Sequence, residues 1–209
     1  MPREALSTDE LQAFRDRICE AAAHLFAERG YEAVTLRSVA ALVGCSPMTP
    51  YRYFPGGKDE IFAAVRAASF GEFADASTGS VEGIDDPFER LVAGGREYVR
   101  FALERPDQYR LMFELTQPLT DHPEVMRQGE RAWAPLRDNV ARAIDAGLLS
   151  GDPDTVAHVV WAGVHGLVSL HLAGKLQMGR SIEDLIEPVL TTLALGNAGT
   201  AGDACGPEG

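Results

Sequence analysis

Hydroxyl, guanidinium and ammonium side chains are concentrated in the segment from Thr35 to Lys58. Two short helical patterns lie in this segment, and Gly44-Cys45-Ser46 separates them. Side chains of these types hydrogen-bond to phosphate oxygens and to the edges of bases. The chemistry that this segment could perform is therefore recognition of nucleic acid.

The net charge of the chain, -12 at pH 7, opposes binding to a polyanion. The charge is unevenly distributed, however. Residues 1–66 carry 8 Lys/Arg against 9 Asp/Glu, whereas residues 67–209 carry 11 against 22. A nearly neutral segment can still present a basic face, because phosphate contacts depend on where the cationic side chains lie. Net charge therefore does not exclude DNA.

Capping residues predict the two short helices. Thr35 is a good N-cap, and Gly44 ends the first of these helices after about two turns. The second begins either at Ser46-Pro47 or with Thr49 as cap and Pro50 as first helical residue, and it runs to about Tyr53. Two short helices joined by a turn that contains Gly form a helix-turn-helix.

Apolar residues at intervals of three and four predict that the whole chain is α-helical, with about nine helices. One helix precedes the pair and ends at Gly30, and a long one follows from Ile61 to Phe73. A polar Gly/Ser-rich stretch, 77–86, then precedes five more helices, at 87–104, 106–115, 123–146, 153–177 and 182–195. We expect a DNA-binding domain at 1–66, a helical effector-binding and dimerisation domain at 67–195, and a disordered tail at 196–209.

Composition limits the class of protein. An apolar content of 45% is that of a soluble globular protein, and no uninterrupted apolar run reaches the roughly 18 residues that span a bilayer. We therefore expect a cytoplasmic protein without membrane contact. Three widely spaced cysteines predict neither disulfides nor a zinc site, and no activated nucleophile, carboxylate dyad or Gly-rich phosphate loop is evident. We expect no cofactor, no metal and no enzymatic activity.

The residues from 17 to 65 resemble the DNA-binding domain of the TetR family of bacterial transcriptional regulators. The residues that carry the resemblance are Ala22, Phe26, Gly30, Thr35, Val39, Ala40, Val43, Pro47, Tyr51, Tyr53, Phe54 and Lys58. In addition, Trp161-Ala-Gly-Val-His165-Gly166 resembles the Trp-His-Gly (WHG) signature of one group of TetR ligand-binding domains. The resemblance implies a dimeric repressor that binds a palindromic double-stranded operator and that a small-molecule effector releases.

The resemblance also implies which residues contact DNA. Thr35 and Arg37 would bind phosphate at the start of their helix. Arg52 is the best candidate for a bidentate contact to guanine, and Met48 or the Thr49 methyl could contact thymine. The complete predicted DNA-binding set is Thr35, Arg37, Ser46, Met48, Thr49, Tyr51, Arg52 and Lys58.

Two features of the motif weaken particular assignments. Tyr53 and Phe54 are more typical of core packing than of DNA contact. Three residues, Pro55-Gly56-Gly57, precede Lys58 where the family has two. This longer turn makes Lys58 the least secure phosphate contact.

A helix-turn-helix that binds a palindrome requires twofold symmetry. The TetR resemblance implies that the last two helices form the dimer interface, and Gly163 and Gly166 would permit close helix approach. The alternative is that these helices only complete the core of one chain. The predicted interface consists of Val160, Val164, Leu167, Val168, Leu185, Ile186, Val189 and Leu193.

The effector pocket is expected among aromatic residues and methionines of the middle helices. The candidates are Tyr98, Phe101, Met112, Phe113, Met126, Trp133, Trp161 and His165. His165 could be the polar group of such a pocket, but a buried, hydrogen-bonded structural histidine is the simpler interpretation. An alternative mode of control is a thiol switch at Cys45, beside the recognition helix, where a small buried cysteine is again the simpler interpretation.

Overall fold

The computed structural model describes residues 7–115 and 121–195, and in these ranges the chain forms nine α-helices and no strand. The predicted all-α fold is therefore confirmed. The predicted tail at 196–209, with Cys205, lies outside the described residues. The helices are α1 (Thr8–Ala33), α2 (Leu36–Val43), α3 (Thr49–Tyr53), α4 (Lys58–Gly79), α5 (Pro87–Glu104), α6 (Pro106–Phe113), α7 (Pro123–Asp145), α8 (Pro153–Leu172) and α9 (Ile182–Leu195).

The helices form two compact units. Among the described residues, unit 1 comprises 7–72, 107–115 and 121–130, and unit 2 comprises 73–106 and 131–195. The sequence predicts that residues 1–66 bind DNA and that residues 67–195 bind an effector and dimerise. A division into compact units does not test which residues bind DNA or an effector. The division of function stays a prediction.

The core of unit 1 holds the helix-turn-helix in place. Ile18 of α1, Val39 of α2, Phe54 after α3 and Phe62 of α4 are at most 1% exposed and belong to one apolar cluster. Such burial is needed because α2 and α3 are too short to be stable alone. Gly30 has a φ of 74° and breaks the regular helix of α1 near its end, where a stop was expected.

Both ends of α2 follow the capping pattern of the sequence. The Ser38 N–H donates to the Thr35 hydroxyl at 3.1 Å, and the Thr35 N–H donates to the Ser38 hydroxyl at 3.1 Å. Gly44 ends the helix in the left-handed region, with a φ of 78°. Such a conformation favours Gly because it lacks a Cβ.

The start of α3 differs by one residue from the nearer of the two predicted registers. The helix begins at Thr49, Met48 is its N-cap, and Pro50 is at the second helical position. Residues 46–48 form a turn instead, with the Thr49 N–H donating to the Ser46 carbonyl at 2.9 Å. Proline is tolerated at this point because N–H groups in the first turn have no intrahelical acceptor.

Three predicted helix boundaries need correction. The linker predicted at 77–86 is shorter, because α4 continues to Gly79 and the Thr78 hydroxyl donates to the Ala74 carbonyl at 2.8 Å. Helix α6 ends at Phe113 rather than Leu115. Helix α8 ends at Leu172 rather than Gln177, since Gly174 takes a φ of 65° and the Lys175 N–H turns back to the Leu170 carbonyl.

In unit 2, helix α5 packs against α8 and α9, and α8 packs against α9. One face of α8, with Val156, Ala157 and Val160, joins Val140 and Ala143 of α7 in an apolar cluster. By length and composition alone, α8 is the one helix of the described ranges apolar enough to cross a membrane, with a window of mean hydropathy 1.3. Core helices of soluble proteins pass the same test, so this is weak evidence for a membrane span.

Candidate nucleic-acid interface and effector site

Three side chains of α3 and its cap point away from the core. Met48 is 66% exposed, Tyr51 is 46% exposed, and Arg52 is also exposed, whereas Pro50 is buried. Positions 48, 51 and 52 lie on one helix face because their spacing is three and four. No hydrogen bond or ion pair is recorded for Arg52 in the described ranges. The predicted reading residues therefore share an accessible face.

Ser46 and Thr49 flank this face. The Thr49 hydroxyl donates to the Ser46 hydroxyl at 3.3 Å. Residue Thr49 is half-buried and Ser46 is exposed. Tyr53 and Phe54 turn the other way. Phe54 is fully buried, and the Tyr53 ring centroid lies 4.7 Å from that of Phe14. The two aromatics therefore pack as the core interpretation predicted.

The start of α2 presents Thr35 and Arg37 to solvent. The Thr35 hydroxyl is partly engaged as the helix cap with Ser38. Arg37 has no recorded partner within the described part of the chain. A helix N-terminus carries partial positive charge, which together with this guanidinium favours an anion.

Lys58 is the first residue of α4, and its ammonium lies over an aromatic ring. The Lys58 Nζ is 4.0 Å from the centroid of Tyr31, whose hydroxyl donates to Asp59 at 2.5 Å. Gly57 precedes it with a φ of 71° and is buried near Leu36 and Tyr51. Lys58 thus lies against α1 through a cation–π contact.

Two further residues at this site, Arg15 and Arg17 of α1, were not among the predicted ones. Arg17 Nη2 donates to the Val43 carbonyl at 3.0 Å, and Arg15 Nη1 donates to the Tyr53 carbonyl. Val43 and Tyr53 are the last residues of α2 and α3. The sequence shows that the last turn of α2 has no basic residue of its own, but this does not identify the residue that supplies one.

The two cysteines of unit 1 are free thiols of intermediate exposure. The Cys45 N–H donates to the Ala40 carbonyl at 2.9 Å and so takes part in the end of α2. Burial raises the pKa of Cys19 to about 11, which disfavours the reactive thiolate there. No observation favours the thiol switch at Cys45.

Five of the eight predicted effector residues belong to unit 2. The Tyr98 hydroxyl and His165 Nδ1 are 2.8 Å apart, and the ring of Trp161 lies 5.5 Å from His165 and 6.1 Å from Trp133. Phe101 is 3% exposed. Burial lowers the pKa of His165, which favours the neutral imidazole.

The other three, Met112, Phe113 and Met126, belong to unit 1. Met112 is 1% exposed, and its carbonyl accepts hydrogen bonds from Arg66 Nε and Nη2 at 3.0 and 2.8 Å. The Phe113 ring is 5.8 Å from that of Phe70. Met112 and Phe113 thus pack inside unit 1, and Met126 is half-buried.

A cavity of about 430 Å³ lies in unit 2, between the end of α4 and α7, and none of the eight predicted effector residues lines it. Its lining includes the charged residues Arg90, Arg131, Asp138 and Arg142. Arg90 is already bonded to the carbonyls of Val81 and Ile84 and to Asn139. The cavity therefore gives no support to the predicted pocket.

The predicted dimer interface needs correction on α8. Val160, Val164, Leu167 and Val168 are 8%, 3%, 7% and 0% exposed within one chain, which leaves them little area for a second copy. On α9, Leu185, Ile186, Val189 and Leu193 are half-buried. Gly163 packs inside the chain as well, since a Cβ there would lie 2.7 Å from Leu193.

Another face of α8 is uncharged and, apart from the half-buried Gly166, exposed. We call Thr155, Val159, Ala162, Gly166 and Leu170 the α8 stripe, because intervals of three and four place them on one side of the helix. Val159 is 49% exposed and Leu170 is 46% exposed. A Cβ added at Gly166 would meet no atom within 4 Å.

Comparison with known proteins gives two family matches and several relatives. Residues 18–65 match the family described as bacterial regulatory proteins, tetR family, and residues 91–193 match the tetracyclin repressor-like C-terminal domain. The HTH-type transcriptional repressor AcnR of Corynebacterium efficiens is 29% identical over 178 residues, which are 83% of this chain and 90% of that protein.

Solved structures give the same fold. A protein of unknown function from Rhodococcus sp. RHA1 has a TM-score of 0.79 at 23% identity, covering 95% of this chain and all of that one. The TetR family regulator PfmR from Thermus thermophilus has a TM-score of 0.67 at 21% identity, covering 86% of this chain and 97% of that one. The Trp-His-Gly assignment stays a prediction.

The two family matches cover the helix-turn-helix and the helices after it, and the chain belongs to the TetR family of bacterial transcriptional regulators.

Proposed function

We propose that this regulator is a homodimeric repressor that binds a palindromic DNA operator and that a small-molecule effector releases. The proposal depends above all on one observation, the exposed face formed by Met48, Tyr51 and Arg52 on a buried helix-turn-helix. Side chains on such a face can enter the major groove while the core holds their helix.

On this proposal α3 is the recognition helix. Arg52 donates two hydrogen bonds to a guanine, and Met48 or the Thr49 methyl contacts a thymine methyl. Tyr51 and Ser46 bind the phosphates beside the groove through their hydroxyls. The exposure of Arg52 and the absence of a recorded partner in the described ranges support its role.

Helix α2 and the start of α4 position the domain on the backbone. Thr35 and Arg37 bind a phosphate at the N-terminus of α2. Lys58 binds a second phosphate, and its contact with the Tyr31 ring fixes the direction of its ammonium. These contacts contribute affinity without sequence preference, and salt weakens them.

The α8 stripe, flanked by α9, is the proposed dimer interface. Monomeric proteins rarely expose large contiguous apolar patches, and the exposed Val159 and Leu170 of this stripe favour a face that a partner covers. A second copy is the fitting occupant because a palindromic operator requires two reading heads related by twofold symmetry. The small Ala162 and Gly166 allow the two α8 helices to approach closely.

The effector site is proposed at the aromatic residues of unit 2. Trp133, Trp161 and Phe101 supply apolar surface, and the hydrogen-bonded pair Tyr98 and His165 supplies a polar group among them. The effector releases DNA if it binds more tightly to a conformation in which the two DNA-binding domains no longer fit successive half-sites. Such a repressor acts in the cytoplasm.

Selection of DNA from a random pool by the purified protein tests this function. We expect enrichment of a palindrome whose half-sites lie about one helical turn, or a multiple of it, apart. The matched control is the Tyr51→Ala, Arg52→Ala double variant, with its helicity verified by circular dichroism. Failure of the wild-type protein to enrich any sequence, or enrichment of the same sequence by the control, would contradict the proposal.

A further inference from the structure

We propose that Arg15 and Arg17 are positioning residues for DNA reading, each holding the C-terminal end of one helix of the helix-turn-helix without contacting phosphate. The two residues are on α1, outside the helix-turn-helix itself. DNA affinity is one readout of this inference, which to that extent rests on the proposed function.

Arg17 supplies a cation that α2 lacks. The last turn of α2 contains no basic residue, and the C-terminus of a helix carries partial negative charge. Arg17 Nη2 donates to the carbonyl of Val43, the last residue of α2, at 3.0 Å. Its guanidinium also lies 5.4 Å from the Phe14 ring. Arg17 thus ties the end of α2 to α1 across 26 residues of sequence.

Arg15 makes the corresponding contact to α3. Its Nη1 donates to the carbonyl of Tyr53, the last residue of α3, and its guanidinium carbon lies 4.1 Å from the centroid of Phe54. Phe54 is fully buried. Helix α3 has only five residues, so its orientation depends on contacts with its neighbours. Arg15 is one of these contacts, and it acts at the end of the helix that carries Arg52.

Arg15 and Arg17 differ from Arg37 in that their guanidinium N–H groups are used inside the domain. Arg15 and Arg17 already donate to carbonyls, whereas Arg37 has no recorded partner in the described ranges and lies at a helix N-terminus. A residue that binds phosphate contributes about one unit to the slope of log affinity against log salt. A positioning residue changes affinity but leaves this slope unchanged, because the bound complex keeps the same phosphate contacts.

The test measures the salt dependence of binding to the DNA fragment that the wild-type protein selects. Arg15→Met and Arg17→Met should each weaken binding about tenfold, equivalent to about 1.4 kcal/mol, with the wild-type slope. Arg37→Met should lower the slope by about one. Arg29→Met is the control on α1 and should bind like the wild type. Within residues 7–115 and 121–195, the one ion pair of Arg29 is with the exposed Glu28.

A slope lowered by about one in the Arg15 or Arg17 variant would show a phosphate contact and overturn the proposal. A variant that binds DNA as tightly as the wild type would also overturn it. If either Met variant fails to fold, Arg15→Gln and Arg17→Gln decide the question. Glutamine keeps an N–H donor for the carbonyl but carries no charge for a phosphate. A positioning role then predicts binding with the wild-type slope, and a phosphate role predicts the lower slope.

Amide hydrogen exchange without DNA separates failure of this inference from failure of the proposed function. In the Arg17 and Arg15 variants we expect faster exchange at the ends of α2 and α3, within residues 40–54, and wild-type exchange in α1 upstream of residue 30. This result supports the inference even if the wild-type protein selects no DNA. Unchanged exchange in residues 40–54 would overturn it.

Discussion

Single side chains of α3 differ sharply in their surroundings. Arg52 is exposed and has no recorded partner in the described ranges, whereas Tyr53 and Phe54, its neighbours in sequence, pack into the core of unit 1. Sequence-specific readout requires a side chain whose backbone is fixed by the fold and whose terminal polar group makes no bond within the protein. Arg52 fits this requirement best among the predicted contacts.

We therefore predict that Arg52→Ala weakens binding to the selected DNA by about 1 to 3 kcal/mol and relaxes preference at one base pair in each half-site. The cause is the loss of a bidentate contact to guanine. The measurement is the affinity for the selected sequence and for variants substituted at each position. Retained preference at every position would show that Arg52 does not read a base.

His165 gives a prediction for stability against pH. Burial lowers its pKa in the folded protein, so the unfolded chain binds a proton first as the pH falls below about 6.5. The contribution of the neutral His165 to the free energy of unfolding is therefore fully present above that pH and is lost as the pH falls below it. We expect the free energy of unfolding to fall more between pH 7.5 and 5.5 in the wild type than in His165→Gln. Equal losses in the two proteins would contradict this prediction.

At the scale of elements, turns and caps decide where the short helices lie. Gly57 has a φ of 71° in the turn before α4, and a Cβ there would lie 3.6 Å from Leu36 and 3.7 Å from Tyr51, which are ordinary contacts. The conformation, rather than a clash, is the obstacle to a side chain.

We predict that Gly57→Ala destabilises the protein by about 1 to 2 kcal/mol, because a non-Gly residue is strained at positive φ. The matched control is Gly129→Ala in α7, where a Cβ would meet no atom within 4 Å and the φ is that of a helix. This control should stabilise by about 0.5 to 1 kcal/mol. The measurement is denaturant unfolding, and stabilisation by both substitutions would contradict the account of this turn.

Local signals explain which elements could be predicted from the sequence. Thr35 and Gly44 predict the two ends of α2, because helix capping depends only on residues that are close in sequence. The start of α3 is harder to predict, since Ser46-Pro47 and Thr49-Pro50 both resemble helix starts. Arg15 and Arg17 could not be predicted as positioning residues, because their acceptors lie 38 and 26 residues away.

For the whole molecule, the two faces of the apolar helix α8 differ in exposure. One face of α8 fills the core of unit 2, and the α8 stripe is exposed. Periodicity could predict that α8 is apolar on most sides, but it could not predict which side the chain covers itself. For this reason the predicted interface included Val160 and Val168, which are buried within one chain.

We predict that Ala162→Arg, in the α8 stripe, converts the proposed dimer to a monomer, because two guanidinium groups would be forced together at its twofold axis. The control is Ala134→Arg, which introduces the same group at an exposed alanine of α7. Mass from sedimentation equilibrium or light scattering should correspond to two chains for the wild type and the control. A variant that remains dimeric would place the interface elsewhere.

The most direct test of the central claim, that this protein recognises an operator sequence as a dimer, is a binding titration at about 0.15 M salt. The titration compares the selected palindrome with a scrambled duplex of the same composition. We expect two chains bound per palindrome, with an affinity at least about 10³-fold tighter than for the scrambled duplex. Equal affinity for the two duplexes, or one chain bound per palindrome, would contradict the account.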